Sequence, residues 1–423
     1  MTDFNIVQAG PLPFLQSIKP YQRGIIDPVW PEEPRPDEDV SIDEERYPRL
    51  RGKMDPQEFL TIARVDVSTR TSAELASVLK KITSFCQEQM NRTPDQTLLN
   101  PSQYVPHSYR VTITVGLGAS LFMDSSGRDR FGFLDKKPRS LRTPPEIFGD
   151  NFDCEDDQTD LVFLIASDHK YVNAWIARKL ERISSSLRIA AIDEGFARPD
   201  KRSFGGFEDG ISNIGRMPLS QREKFVFVGR DSDEPNWCQQ GSYLVFRKIE
   251  QNLKDWDRLK EKMQSKMIGR NKPDGKPLSR RVEDASREPI FPDPASKKDG
   301  PLKSHSRAVN PRRISEYTIG FPDESRRFLR RGYPFVDNVP LRGQEDKELA
   351  SFGLHFIAFM NDISAQFEYI SQVWQMNPDF PVPGAGRDTM FEREIFKTVA
   401  GGYYFCPPDA VDDRDFIGSG LFK

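Results

Sequence analysis

The predicted secondary structure repeats one order twice along the chain, and this repeat constrains the fold more than any other feature. In the first half, apolar alternation and helical spacing predict six elements in the order strand, helix, strand, strand, helix, strand. They span residues 59–67, 71–90, 109–115, 160–167, 172–183 and 187–193. Thr71 and Glu74 form a capping box at the start of the first helix. This order defines a ferredoxin-like unit.

The second half repeats the order over residues 241–407. Strands are predicted at 241–249, 326–335, 355–362 and 403–407, with one helix at 253–263. The other helix carries four apolar residues on one stripe, namely Ile363, Phe367, Ile370 and Trp374. We therefore predict an α+β chain with two ferredoxin-like domains and antiparallel β-sheets.

The domain boundaries follow from changes in composition. A Pro-rich, acidic N-terminal arm is predicted at 1–55, followed by an N-terminal domain at 56–205 and a C-terminal domain at 206–408. A polar, basic and Pro-rich insertion at 264–313 interrupts the C-terminal domain. A tail at 409–423 follows the last strand, with an acidic spacer before a short apolar end.

Charge and hydropathy exclude several classes of function. The net charge is only −3, which argues against a nucleic acid or an anionic membrane as the main partner. The longest apolar runs, such as residues 161–166, are too short to span a bilayer. The N-terminus shows no basic start followed by an apolar core, so we expect a cytoplasmic protein.

Cysteine and histidine limit the chemistry further. The four cysteines are scattered without a CxxC pair, so neither a zinc site nor covalent c-type haem attachment is predicted. The only histidines are His107, His169, His305 and His355. Taken singly, each is typical of a structural or solvated histidine, including His305 in its long polar loop.

Four segments change this interpretation when they are taken together. They are GFEDGISN at 206–213, His305 with Arg307 and NPR at 310–312, FLRRGYPF at 328–335, and GLHFIAF at 353–359. In this order they resemble the motifs of the dye-decolourising peroxidase family, and the resemblance covers most of residues 55–408. That family is built from two ferredoxin-like domains in the dimeric α/β barrel-like arrangement shared with chlorite dismutase, which agrees with the repeat.

The resemblance implies one haem b per chain, with His305 as the proximal ligand of the iron. The second ring nitrogen of such a ligand should donate to an acceptor that makes the ring more electron-rich. Asp388 in the GRD segment is the candidate acceptor, although Thr389 follows it where the family usually has proline.

On the opposite face, the resemblance makes Asp209 the acid–base group and Arg330 the cation that stabilises developing negative charge. Sequence alone leaves Arg331 open as the alternative to Arg330. Gly206 and Gly210 would let the backbone run close to the porphyrin. The remaining cofactor contacts implied are Leu354 and Phe356 in the distal pocket and Arg307 beside a haem propionate.

The implied activity is the reduction of hydrogen peroxide with small aromatic or dye-like reductants. The alternatives are a deferrochelatase or other haem-handling protein, and a non-enzymatic scaffold of the same fold. A homo-oligomer is a further expectation. The tail resembles loading peptides that dock some of these peroxidases inside encapsulin shells, which makes such a shell an alternative partner.

Overall fold

The structure is a computed structural model. It describes residues 24–25, 57–90, 110–211, 213–216, 219–278, 282–283, 288–289, 301–309, 323–338, 350–380, 382–409 and 414–423. His107, the NPR segment at 310–312 and nearly all of the predicted N-terminal arm lie outside these ranges.

Within these ranges the chain alternates strands and helices. The strands are β1 (Phe59–Val67), β2 (Thr112–Gly118), β3 (Leu161–Ser167), β4 (Leu187–Phe196), β5 (Ser242–Gln251), β6 (Val282–Glu283), β7 (Glu288–Pro289), β8 (Leu329–Arg330), β9 (Tyr333–Asp337), β10 (Ser351–Met360) and β11 (Phe396–Cys406). The helices are α1 (Ser72–Met90), α2 (Cys154–Asp157), α3 (Lys170–Ile183), α4 (Leu219–Val226), α5 (Leu253–Asp257), α6 (Glu261–Ile268), α7 (His305–Ala308), α8 (Ser364–Gln375) and α9 (Thr389–Glu392). Short 3₁₀ turns span Ala119–Leu121, Leu134–Lys136, Ile214–Arg216, Asn236–Cys238, Asp323–Arg326 and Ser419–Phe422. None of the helices in the described ranges is long and apolar enough to cross a bilayer.

Nine of the strands form one antiparallel sheet. Its order is β4-β1-β3-β2-β11-β5-β10-β8, and β9 also pairs with β10. In each half, the strands therefore lie in the order fourth, first, third, second, counted along the chain. The halves join where β2 pairs with β11, with Gly118 opposite Tyr404. The prediction of two ferredoxin-like units is confirmed.

The two ends of this sheet approach each other, so the sheet curves into a barrel-like form. Lys248 Nζ on β5 lies 2.8 Å from Asp193 Oδ1 on β4 and 2.6 Å from Asp337 Oδ2 on β9. His355 Nε2 on β10 lies 3.2 Å from the carbonyl oxygen of Glu194. Gly195 allows this approach, because a Cβ there would lie 2.7 Å from the Cβ of Tyr333.

Apolar side chains form separate clusters on the two faces of the sheet. Because strand side chains alternate between faces, Ile62 belongs to the cluster inside the barrel and Ala63 to the outer one. The inner cluster combines both halves, with Leu164 from the first and Phe246 from the second. The outer cluster packs under the helices and includes Leu79 of α1.

The capping box predicted for the first helix is confirmed. The Glu74 backbone N–H donates to Thr71 Oγ1 over 3.2 Å, and the Thr71 N–H donates to Glu74 Oε2 over 3.3 Å. The stripe predicted for α8 is also confirmed, since Ile363, Phe367, Ile370 and Trp374 are all buried.

Several predicted elements differ from the structure. The strands predicted at 355–362 and 403–407 begin earlier, at Ser351 and Phe396. The helix predicted at 253–263 is two helices, α5 and α6, because Lys260 is extended (φ −62°, ψ 144°) and starts α6. The strand predicted at 326–335 is broken into β8 and β9 where Gly332 packs against Leu354. The strand predicted at 109–115 begins later, at Thr112, because Arg110 has a φ of 48° that is incompatible with a strand.

The end of the predicted tail is packed against the N-terminal half. Ile417 and Leu421 are fully buried in the outer cluster. The Ile417 N–H donates to Thr83 Oγ1 over 2.9 Å, and Lys136 Nζ donates to the Leu421 carbonyl over 2.9 Å. Docking of this segment into another protein would therefore first require its release from its own core.

Candidate active site

A cavity of about 300 Å³ lies on the outer face of the C-terminal half of the sheet. Alternate residues of β5 and β10 form its floor, and α7, α8 and the segment around 203–214 form its walls. It brings together six of the nine predicted site residues, namely His305, Asp209, Arg330, Gly210, Leu354 and Phe356. Gly206, Arg307 and Asp388 do not line it.

His305 opens α7 and projects into the cavity from one wall. Its Nδ1 lies 2.6 Å from Asp388 Oδ2. Because an ionised carboxylate can only accept, Nδ1 carries the proton of this bond and the other ring nitrogen, Nε2, is left without one. The ring is 30% exposed, and that exposure is to the cavity, whereas Asp388 is fully buried.

The pKa of His305 reflects its burial and its charged neighbours. Burial alone would lower the pKa of His305, but the charge and hydrogen bond of Asp388 outweigh it, and the net pKa is raised. The charges of Arg330 and Asp209 also act on the imidazole. The two predicted distal residues therefore lie within electrostatic range of the predicted ligand.

Asp388 is fixed behind His305 by further hydrogen bonds. Its Oδ1 accepts from the Met390 N–H over 3.0 Å, which caps α9, and its Oδ2 also accepts from Gln375 Nε2 over 2.9 Å. Thr389, which departs from the family pattern, has a role that proline could not fill. Its N–H and its hydroxyl donate to the carbonyl of Lys303 over 3.0 and 2.9 Å, which ties α9 to the segment before His305.

Asp209 lies on another wall, in a tight loop. Its N–H donates to the Lys201 carbonyl over 3.0 Å, and its Oδ1 accepts from the Gly210 N–H over 2.6 Å. Gly210 has a φ of 75°, a conformation that favours glycine. The Asp209 side chain is exposed, and it lines the cavity.

Gly206 serves this loop rather than the cavity wall. Its φ is 84°, and a Cβ there would lie 2.4 Å from Lys272 Cε. Arg202 donates from Nη1 to the carbonyls of Gly206 and Lys272, each over 2.8 Å. Arg202 therefore joins the Asp209 loop to the segment after α6, and sequence reasoning did not find it.

The structure places Arg330, and not Arg331, on the cavity. Arg330 ends β8 opposite Ala358 of β10 and lines the cavity, whereas Arg331 follows the strand and does not line it. Burial raises the pKa of the Tyr333 hydroxyl, and the positive charge of Arg331 opposes that rise, so Arg331 lies within electrostatic range of Tyr333.

Arg307 is buried, with 1% of its surface exposed, and it does not reach the cavity wall. A different arginine, Arg247 of β5, does line the cavity. It forms an ion pair with Asp150, which reaches it from the N-terminal half, and Nη2 lies 2.9 Å from Thr398 Oγ1. An arginine directly after the mostly apolar run SYLVF could have signalled this position, but nothing in the sequence pairs it with Asp150.

His355 is a structural histidine, as its apolar strand indicated. It is fully buried, and its ring stacks on Phe335 with centroids 4.5 Å apart. Burial lowers the pKa of His355 to about 4, so the ring is neutral near pH 7.

Two family models match successive parts of the chain. The one described as Dyp-type peroxidase, N-terminal, matches residues 54–197, and the one described as Dyp-type peroxidase, C-terminal, matches residues 200–411. The chain belongs to the Dyp-type peroxidase family. It is therefore an oxidoreductase of the peroxidase class, and the resemblance drawn from the four motifs is confirmed.

Curated relatives of this Dyp-type chain include deferrochelatases. One from Escherichia coli is 28% identical over 328 residues, and one from Shigella flexneri is 29% identical over 326 residues. Each match covers 74% of this chain and 69% of the relative.

Solved structures share the fold. DtpA from Streptomyces lividans, described as an X-ray generated oxyferrous/water mixed complex, is 20% identical with a TM-score of 0.68 and covers 98% of this chain and 100% of its own. A DyP-type peroxidase from Cellulomonas bogoriensis is 20% identical with a TM-score of 0.65, covering 87% of this chain and 94% of its own.

Proposed function

We propose that the cavity binds one haem b and that the chain reduces hydrogen peroxide there, with small aromatic or dye-like molecules as electron donors. The observation that carries this proposal is the position of His305. It is held by Asp388 on one side and projects into a cavity that also contains Asp209 and Arg330.

The residues of the cavity fit a haem. His305 offers Nε2 as an axial ligand, and the apolar side chains of Leu354, Phe356 and Phe367 suit a porphyrin face. Three arginines on the wall could pair with the two propionates, namely Arg270, Arg326 and Arg327. When bound, the haem would supply an iron able to react with peroxide.

The chain's own residues would divide the remaining work. Asp388 would hold the imidazole in one tautomer and increase its basicity. Asp209 would accept a proton from one peroxide oxygen and return it to the other, as a general acid–base group. Arg330 would stabilise the negative charge that develops on the departing oxygen.

A second candidate is a deferrochelatase activity, because the curated relatives at 28–29% identity carry that name. Such a protein would release iron from haem and leave the porphyrin intact. The non-enzymatic scaffold is the weakest alternative, because a scaffold has no need to keep His305, Asp209 and Arg330 around one cavity.

The proposal is tested by absorption spectra of the purified protein before and after one equivalent of peroxide. We expect a Soret band that changes with peroxide in the wild type and is absent or strongly altered in His305→Ala. Dye or guaiacol oxidation should accompany the change. Accumulation of iron-free porphyrin without dye oxidation would favour the deferrochelatase. No Soret band after haem reconstitution would contradict both.

A further inference from the structure

We propose that Gln375 is a positioning residue that sets, through Asp388, how strongly His305 donates electron density to the iron. This inference rests on the proposed function, since it takes His305 to be the axial ligand. Gln375 belongs to none of the motifs that carry the family resemblance.

Gln375 forms two hydrogen bonds with Asp388. It ends helix α8, is 8% exposed, and its backbone carbonyl accepts from the Asp388 N–H over 2.9 Å. Its side-chain Nε2 donates to Asp388 Oδ2, also over 2.9 Å. The orientation of the amide is fixed by chemistry, because a carboxylate oxygen accepts hydrogen bonds and only the NH₂ group can donate one.

The oxygen that Gln375 contacts is the same one that His305 contacts. Asp388 Oδ2 accepts from His305 Nδ1 over 2.6 Å and from Gln375 Nε2 over 2.9 Å, while Oδ1 accepts from the Met390 N–H. Each donor that binds a carboxylate stabilises its negative charge and reduces its pull on a neighbouring proton. Gln375 therefore weakens the attraction of Asp388 for the His305 proton and keeps the ring closer to a neutral imidazole.

The unusual form of α8 accompanies this contact. The helix runs with i→i+5 hydrogen bonds, such as Glu368 N–H to the Ile363 carbonyl and Met376 N–H to the Ser371 carbonyl. Such π-helical turns are rare and are often found at functional sites. Gln375 lies at the end of this helix, between Trp374 and Met376, which both line the cavity.

The test measures the iron midpoint potential and the iron–histidine stretching frequency of the haem-loaded protein with Gln375→Leu. Without the Gln375 donor, Asp388 should draw the His305 proton more strongly, so the ring gains imidazolate character and favours ferric iron. We expect a stiffer iron–histidine bond and a negative shift of up to about 59 mV, which is a tenfold change for one electron. Gln375→Met, whose flexible side chain also lacks a donor, should give the same shift if the leucine variant does not fold.

Two controls separate this role from a structural one. In an Asp388→Asn background the effect of Gln375→Leu should vanish, because two residues that act through one contact are not additive. Gln366→Leu removes another buried amide of α8, one that donates to backbone carbonyls, and should lower stability without shifting the potential.

The failure of the inference and that of the proposed function are distinguishable. An unchanged potential in a haem-loaded Gln375→Leu protein, or an equal shift with and without Asp388, would overturn the role of Gln375 alone. Wild-type protein that does not ligate haem through His305 would overturn the proposed function, and this inference with it.

Discussion

Asn213 holds the backbone of Arg330 with two hydrogen bonds. Its Nδ2 donates to the Arg330 carbonyl over 2.7 Å, and its Oδ1 accepts from the Arg330 N–H over 3.2 Å. The two residues are 117 positions apart in the chain. These bonds fix the segment that carries Asp209 relative to the strand that carries Arg330. The proposed acid–base group, Asp209, and the proposed cation, Arg330, are therefore positioned together.

The neighbouring arginines Arg330 and Arg331 provide a matched pair of variants. We expect Arg330→Leu to slow the reaction with peroxide by about 10²–10³-fold, the usual cost of losing one group that stabilises developing charge. Arg331→Leu should leave this rate nearly unchanged, because Arg331 does not line the cavity. Rapid-mixing absorbance measurements with varied peroxide give both rates. Equal losses in the two variants would contradict the assignment.

Replacing Asp209 by Asn tests the acid–base role. The amide keeps the size of the side chain but cannot accept and return a proton, so the reaction with peroxide should slow by about 10²–10⁴-fold. Haem content, measured from the Soret absorbance, should stay at the wild-type level. Comparable rates in the two proteins would remove Asp209 from the mechanism.

His355 should make the fold sensitive to acid. The unfolded chain takes up a proton at this residue near pH 6.5, whereas the native protein resists protonation until its pKa of about 4. Between these values the unfolded state binds more protons, so stability should fall as the pH falls, by up to about 1.4 kcal/mol per pH unit. The charges of Asp193 and Asp337 oppose this lowering of the His355 pKa, whereas the charge of Lys248 adds to it.

Urea unfolding between pH 7 and pH 4 measures this dependence. His355→Phe, which keeps an aromatic ring against Phe335, should flatten the slope over this range. His169→Asn, at a partly exposed position before α3, should keep it. An unchanged slope in His355→Phe would show that other groups dominate acid unfolding.

The end of the chain should contribute to global stability. Leu421 is fully buried, so Leu421→Ala should cost about 2–5 kcal/mol of unfolding free energy. Lys423→Ala should cost less than about 1 kcal/mol, because Lys423 is exposed and its ion pair with Asp415 is at the surface. Chemical denaturation compares the two. A negligible effect of Leu421→Ala would mean that this segment is dispensable for the core.

Much of the fold could be predicted because it depends on local patterns of apolar residues. The continuous apolar run of β3 and the apolar stripe of α8 report directly which side chains are buried, and the repeated order of elements predicts two ferredoxin-like units. The errors fall at breaks that depend on tertiary contacts. The strand breaks at Gly332, where an added Cβ would lie 3.1 Å from Leu354 Cδ1, and no local signal shows that close approach.

The site residues likewise divide into those that local motifs predict and those that depend on contacts distant in sequence. His305, Asp209 and Arg330 could be named from motifs, and the cavity brings them together. Gln375 and Asp150 could not be named, because their importance lies in partners far away in sequence. Thr389 looked like a departure from the family, and only the structure shows that it ties α9 to the Lys303 carbonyl.

The ion pair between Asp150 and Arg247 shows that both halves of the chain contribute to the cavity wall. Asp150 comes from the part of the chain matched by the N-terminal family model, and Arg247 from the part matched by the C-terminal one. If the chain were cut between these two parts, the C-terminal fragment would keep His305, Asp209 and Arg330. The buried guanidinium of Arg247 would then lack its carboxylate partner. The intact wall of the cavity therefore depends on residues of both halves.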